Sequence, residues 1–122
     1  MENTEERIIR PRIASIMVNA SDAESLAAFW SAVLELPVAS RHGQFIWLEA
    51  PGPGAPQVAF QQVPEPSGGR RLHLDLHHPD PAGLRRRAES LGAVFVEGHD
   101  IGDFHWDVMQ DPEGNEFCIA AD

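Results

Sequence analysis

Apolar positions recur at two different periods along this chain, and the switch between them divides it into elements. Arg12 to Ala20 (RIASIMVNA) is rich in β-branched residues and predicts a strand. In the following SDAESLAAFWSAVLEL, Leu26, Phe29, Trp30, Val33 and Leu34 recur at helical spacing. Ser21 and Glu24 form a capping box, which predicts an amphipathic helix of about four turns ending near Leu36-Pro37. Extended runs at Val38 to Arg41, Gln44 to Ala50 and Gln57 to Val63 come next, separated by His42-Gly43 and the breaker cluster Pro51 to Pro56.

After the turn-rich Pro64 to Gly69 the same order begins again. Leu72 to His78 (LHLDLHH) predicts a strand, with Leu72, Leu74 and Leu76 on one face and His73, Asp75 and His77 on the other. Asp80 caps a helix that has Pro81 in its first turn, runs over Ala82 to Leu91 and stops at Gly92. Strands follow at Ala93 to Glu97, His105 to Gln110 and Glu116 to Ala121, the last two joined by the turn Asp111-Pro-Glu-Gly114. The pattern is therefore an α+β fold of two βαβββ modules, residues 12–63 and 71–121, with a linker at 64–70 and a tail at 1–11. Each module is too small to bury a sheet face alone. Packed together they form one domain over 12–121, a curved mixed sheet with helices outside and a cup inside.

The chain is long enough, at 122 residues, to bury a core of its own. Its formal net charge is −10, all nine basic residues are Arg, and none is Lys, which argues against a nucleic-acid partner. The lone Cys118 excludes an internal disulfide, the charged opening MENTEERIIRPR has no apolar signal core, and no run approaches the roughly 20 apolar residues of a membrane helix. The expectation is a cytoplasmic protein with no membrane partner.

The paired openings VNASDAESLAAFW and LHHPDPAGLRRRAESLGA and the closing DPEGNEFCIA resemble the vicinal oxygen chelate superfamily, which includes glyoxalase I, extradiol dioxygenases, fosfomycin-resistance enzymes and bleomycin-resistance proteins. The start of the second module, Arg71 with LHLDL, is similar to the glyoxalase-like subgroup. The resemblance implies the glyoxalase/bleomycin-resistance fold, with modules joined within the chain or exchanged between two chains, and a homodimer. It also implies four metal-ligand positions on the cup face. Two lie seven residues before the Asp that opens each helix, here Ser15 and His73. A third lies seven residues after Asp111 of DPEGN, here Cys118, and the fourth falls on Ala59 or Gln61. Only His73 is a typical ligand. A hard divalent ion prefers oxygen donors, so the departure from the family's ligand set leads to the expectation of no cofactor, with His73 the one ligand if a metal were present. Zinc would need further ligands, and residues two apart on a flat strand stand roughly 7 Å from one another, too far to share one ion easily.

The residues on the cup face carry the candidate chemistry. His73, Asp75 and His77 are candidates for proton transfer, or for a wall of hydrogen-bonding groups. Phe45, Trp47 and Glu49 alternate with the helix-facing Ile46 and Leu48, and Trp106 and Val108 join them by resemblance; together with Ser15, Gln61 and Cys118 they are the candidate ligand-binding set. Phe29 and Trp30 read as packing or interface, Arg70 and Arg71 as solvated loop or a rim for an anionic ligand, Arg85 to Arg87 as solvated helix surface, and His78 as surface. The favoured reading is a protein that binds a small aromatic molecule without a typical metal site, as antibiotic-sequestering proteins do. The alternatives are a lyase, isomerase or hydrolase working through His73, Asp75 or His77, or a metal-dependent glyoxalase or dioxygenase.

Overall fold

The structure, a computed structural model, describes residues 9–64 and 71–122. The outer part of the tail and most of the linker, including Gly68-Gly69 and Arg70, lie outside the described residues. Ten elements follow in the order β1 (Arg12–Ala20), α1 (Ala23–Leu34), β2 (Val38–His42), β3 (Phe45–Leu48), β4 (Gln57–Gln62), β5 (Leu72–His78), α2 (Pro81–Ser90), β6 (Val94–Ile101), β7 (Phe104–Gln110) and β8 (Glu116–Ala121). The duplicated βαβββ order expected from the periodicity is present.

All eight strands belong to one curled, half-barrel sheet in the order β2-β3-β4-β1-β5-β8-β7-β6. Within each module the first and last strands run parallel, β1 with β4 and β5 with β8, and the crossover between them carries the helix. The other neighbours are antiparallel, and the modules meet edge to edge through β1 and β5, which pair Ser15 with Asp75 and Met17 with His73. The halves are thus joined within the single chain.

Side chains alternate between the two faces, which separates packing from chemistry. On the helix-bearing face, Ala20, Ile46, Leu48 and Phe60 close against Ala23 and Ala27 of α1, with Val18, Leu26, Leu36, Val38 and Val58 at the margin. Phe60 and Leu48 are fully buried. Small residues at 23 and 27 let the helix axis approach the sheet, with Leu26 the larger apolar residue of α1 that reaches the core margin. Phe29, Trp30, Val33 and Leu34 stay exposed.

Several local expectations are corrected by the hydrogen bonds. The cap of α1 is Asp22 and not Ser21: its carboxylate accepts from the Ser25 backbone at 3.1 Å and from the Ser25 hydroxyl at 2.9 Å. Glu24, released from capping, pairs with Arg41 across to β2 at 2.9 Å. Strand β6 continues four residues beyond the expected end at Glu97, through Gly98 to Ile101. Gly98 has no side chain because His105 fills that place; a Cβ there would lie 2.9 Å from the imidazole. Arg85 is not simply solvated, since its guanidinium lies 3.7 Å over the Phe95 ring and 3.5 Å from Asp107. His78 also does more than face solvent. Its Nδ1 accepts from the Asp80 backbone N–H at 2.9 Å, and its Nε2–H donates to the Ile9 carbonyl at 2.9 Å, tying the incoming chain to the start of α2.

His105 is held between two carboxylates, Asp100 at 2.9 Å and Asp107 at 2.8 Å. These contacts, Asp100 first, raise its pKa above the usual 6.5. The folded form therefore binds the proton more tightly than the unfolded chain, so the stabilisation is complete below the unfolded value and is lost as pH rises through the raised folded one. His105→Ala is expected to lower the melting temperature near about pH 5.5 and to have almost no effect near about pH 9. An equal loss at both pH values would contradict the ion-pair account.

Candidate functional site

The concave face carries three groups of side chains. At the seam of the two modules, β1 contributes Ser15 and Met17, β5 contributes His73 and Asp75, β4 contributes Ala59 and β8 contributes Cys118. Ser15, Met17, Ala59 and Cys118 are all at most 8% exposed, and the side chains of His73 and Asp75 retain only 15% and 18% exposure. This is the floor of the cup. On the first module, Phe45 and Trp47 lie with ring centroids 5.5 Å apart, and His42 meets Trp47 edge-on at 6.0 Å. On the second, a row of rings runs from His77 through Phe104 and Trp106 to His99, with centroid spacings of 6.2, 5.8 and 5.2 Å, the last pair stacked at 19°. His99 is steadied by Glu97 at 2.6 Å.

The sequence-predicted residues fall into this layout unevenly. Ser15, His73, Asp75 and Cys118 converge on the floor, Val108 stands opposite Cys118, and Trp47 and Trp106 occupy the two walls. Gln61 lies opposite Phe45, away from the floor, and Glu49 is exposed beyond the end of β3. Arg71 is exposed just before β5. Sequence reasoning missed His42, Glu97, His99 and Phe104. The signal for the last three is the alternation Glu97, His99, Ile101 followed by a two-residue turn at Gly102-Asp103, which returns the chain with Phe104 and Trp106 on the same face.

Asp75 is the centre of the floor. Its Oδ2 accepts from the Ser15 hydroxyl at 2.6 Å, its Oδ1 stands 3.4 Å from Nε2 of His73, and the Cys118 thiol donates to the same carboxylate. Burial first, and then the negative charge of Asp75, push the Cys118 thiol far up, so it is a protonated donor and no nucleophile. Burial pushes His77 down from its ordinary value, assisted by Arg12, with Asp75 and Asp122 opposing, so its ring is neutral at neutral pH. Arg12 itself is engaged with Asp122 at 2.8 Å.

The separation of about 7 Å expected between strand neighbours is corrected here. On the concave side of a curled sheet, side chains two residues apart lean together, and the length of the imidazole covers the remaining gap. The ligand atoms of His73, Asp75 and Cys118 all lie within 4.8 Å of one another. The strand register also resolves the fourth metal-ligand position. In the second module the residue two after His73 pairs with Cys118; in the first the residue two after Ser15 is Met17, which pairs with Ala59. That position is a buried alanine with no donor atom. Of the four superfamily positions, then, one is an imidazole, one a hydroxyl already bonded to Asp75, one a thiol and one a methyl group. This set does not fit a hard ion such as Mn²⁺, which favours carboxylate, carbonyl and water oxygens.

A groove of about 440 Å³ opens beside β5, where the apolar Ile16, Leu72, Leu74, Leu76 and Phe117 meet the polar His73, Asp111, Asn115 and Glu116.

The comparisons with known proteins agree with this architecture. Solved structures with the same fold include a glyoxalase/bleomycin resistance protein/dioxygenase superfamily member from Vibrio splendidus 12B01, with TM-score 0.67 and 16% identity over 94% of this chain and 100% of that one. The methylmalonyl-CoA epimerase of Mycobacterium tuberculosis gives 0.71 and 15% over 99% and 92%. A Mn(II)-bound glyoxalase from Novosphingobium aromaticivorans gives 0.64 and 18%, over 93% of this chain but 40% of that one. At such identities the likeness concerns the fold. No curated protein matches the chain. The family model of the glyoxalase-like domain matches residues 15–120, nearly the whole of both modules, and the chain therefore belongs to the glyoxalase-like domain family of the vicinal oxygen chelate superfamily.

Proposed function

We propose that the chain binds a small, flat organic molecule in the cup, gripped between the ring walls and oriented by the polar floor, with no part played by Mn²⁺ or Mg²⁺. The observation that carries this reading is that two ring clusters, Phe45–Trp47 and Phe104–Trp106–His99, share by strand register the sheet face that bears the buried polar atoms of Ser15 and Asp75. Rings offer large contact area at low cost in conformational freedom, and a few fixed polar groups below them supply orientation. Sequestration of an antibiotic or metabolite is the biological role that this arrangement suits.

The test is to identify by mass spectrometry what co-purifies with the protein and to titrate it back. The compound is expected to leave unchanged and to raise the melting temperature by mass action. Trp47→Ala and Trp106→Ala should each weaken binding by about tenfold or more while leaving the circular dichroism unaltered, since one buried aromatic contact is worth roughly 1–3 kcal/mol. Undiminished binding by both variants would sink the reading.

A second reading rests on the 3.4 Å approach of His73 to Asp75, which fixes the ring for acid-base work in a lyase, isomerase or hydrolase. Under it His73→Ala abolishes turnover and preserves the fold. We also propose a homodimer, supported by the exposed Phe29, Trp30, Val33 and Leu34 of α1. Light scattering after size exclusion checks it, and Trp30→Glu should yield monomers.

A further inference from the structure

The β6–β7 hairpin carries one of the two ring clusters and joins the sheet along one side. β6 is the edge strand, paired with β7, and the turn at Gly102-Asp103 closes the hairpin at its outer end. By register His99, Ile101, Phe104 and Trp106 share the face of His77 and Asp75, while Asp100, His105 and Asp107 point the other way. On the ring face Phe104 meets Trp106 at 5.8 Å and His77 at 6.2 Å, and His99 stacks on Trp106 at 5.2 Å. The placement of these rings depends on the hairpin that bears them.

On the other face His105 Nδ1 stands 2.9 Å from Asp100 Oδ1 on β6, and its Nε2 stands 2.8 Å from Asp107 Oδ1 on β7. Asp100 is also the cross-strand partner of His105, one pair in from the turn. An ionised carboxylate only accepts hydrogen bonds, and a neutral imidazole has a single N–H, so the imidazolium alone satisfies both contacts. When the proton leaves, one nitrogen turns a lone pair on a carboxylate and that contact breaks. The surroundings decide which. Asp107, with its side chain 15% exposed, also receives Arg85 of α2 at 3.5 Å, whereas Asp100, 71% exposed, turns to water. Arg85 is shared with Glu89 and lies over Phe95, so the inner end of the hairpin stays pinned to α2. We propose that Asp100, His105 and Asp107 form a proton-operated latch: protonated His105 ties β6 to β7 at the outer end of the hairpin and steadies Phe104, Trp106 and His99, and the neutral ring lets that end open. The charges around His105 are Asp100 from β6, Asp107 from β7 and, behind Asp107, Arg85 from α2; Glu97, His99 and His77 lie on the opposite face. The two carboxylates, Asp100 first, favour the protonated ring, so the latch is shut below the raised folded value and opens as pH rises through it. Control of the grip on a flat molecule rests on the cup reading above; the latch itself does not.

Amide hydrogen exchange of the full chain without ligand tests it, followed on peptides spanning residues 98–106, with β1 and β4 as reference. After division by the intrinsic exchange rate, protection of 98–106 is expected to fall as pH rises, by about tenfold for each unit by which the measured His105 titration lies above about 6.5. The midpoint should coincide with that of the His105 imidazole followed by NMR, and β1 and β4 should stay flat. His105→Gln, which does not titrate, should show the low protection at every pH, and Asp100→Asn should lose most of the response. Circular dichroism confirms that both variants are folded. Protection independent of pH in the wild type, a midpoint away from that of His105, or the same fall in His105→Gln overturns the latch. No ligand enters the measurement, so its failure leaves the Trp47 and Trp106 titrations untouched, and their failure leaves the latch standing.

Discussion

Phe60→Ala is expected to destabilise the protein by about 3–5 kcal/mol, the usual range for deleting a fully buried phenyl ring. Phe60 sits at the centre of β4 with no exposure, wedged between Ile46 and Leu48 of β3 and the small residues Ala23 and Ala27 of α1. Those neighbours are either short or anchored in the sheet, so little can collapse into the space the ring leaves. For a domain of this size the loss should appear as a melting temperature lower by roughly 10–20 °C. Urea unfolding followed by tryptophan fluorescence gives the free energy directly, and a loss under about 1 kcal/mol would show that α1 is not seated on Phe60.

The second large effect belongs to Asp75. Replacing it by Ala removes the acceptor shared by the Ser15 hydroxyl and the Cys118 thiol, and leaves His73 facing a void. A buried hydrogen-bonding group stripped of its partner costs about 1–3 kcal/mol, and Ser15 is 5% exposed. Asp75→Asn retains an oxygen acceptor for Ser15 and should cost clearly less, which separates a lost hydrogen bond from a mere change of volume. Chemical denaturation of the two variants side by side measures the difference. Equal losses would mean that the carboxylate is not the point on which the floor depends.

Much of this architecture was legible because short-range rules and packing agree in it. β5 was bounded correctly from LHLDLHH alone, since its alternation is strict and turn residues flank it on both sides. The same is true of β8 after Asp111-Pro-Glu-Gly114. The motif at the start of α1 points to Ser21 one residue before the actual cap, because Ser21 satisfies it equally well and only the backbone geometry at Asp22 decides between them. Local preference ends β6 before Gly98, a breaker residue, whereas in the structure the strand runs on and a ring from the neighbouring strand takes up the room a side chain would need. In the site, the facing of His73, Asp75, Trp47 and Trp106 followed from a period of two. The approach of His73 to Asp75 did not, because periodicity carries no curvature. The first-module ligand position likewise needed the pairing of Met17 with Ala59, a relation between residues far apart in sequence.

The edge-to-edge junction of β1 and β5 has one more consequence. Ser15 and Asp75, the pair bonded at 2.6 Å, come from opposite halves of the duplication. Whatever settles on that spot touches both halves at once and rivets them, so occupancy should be felt as resistance of the molecule to being split along its midline.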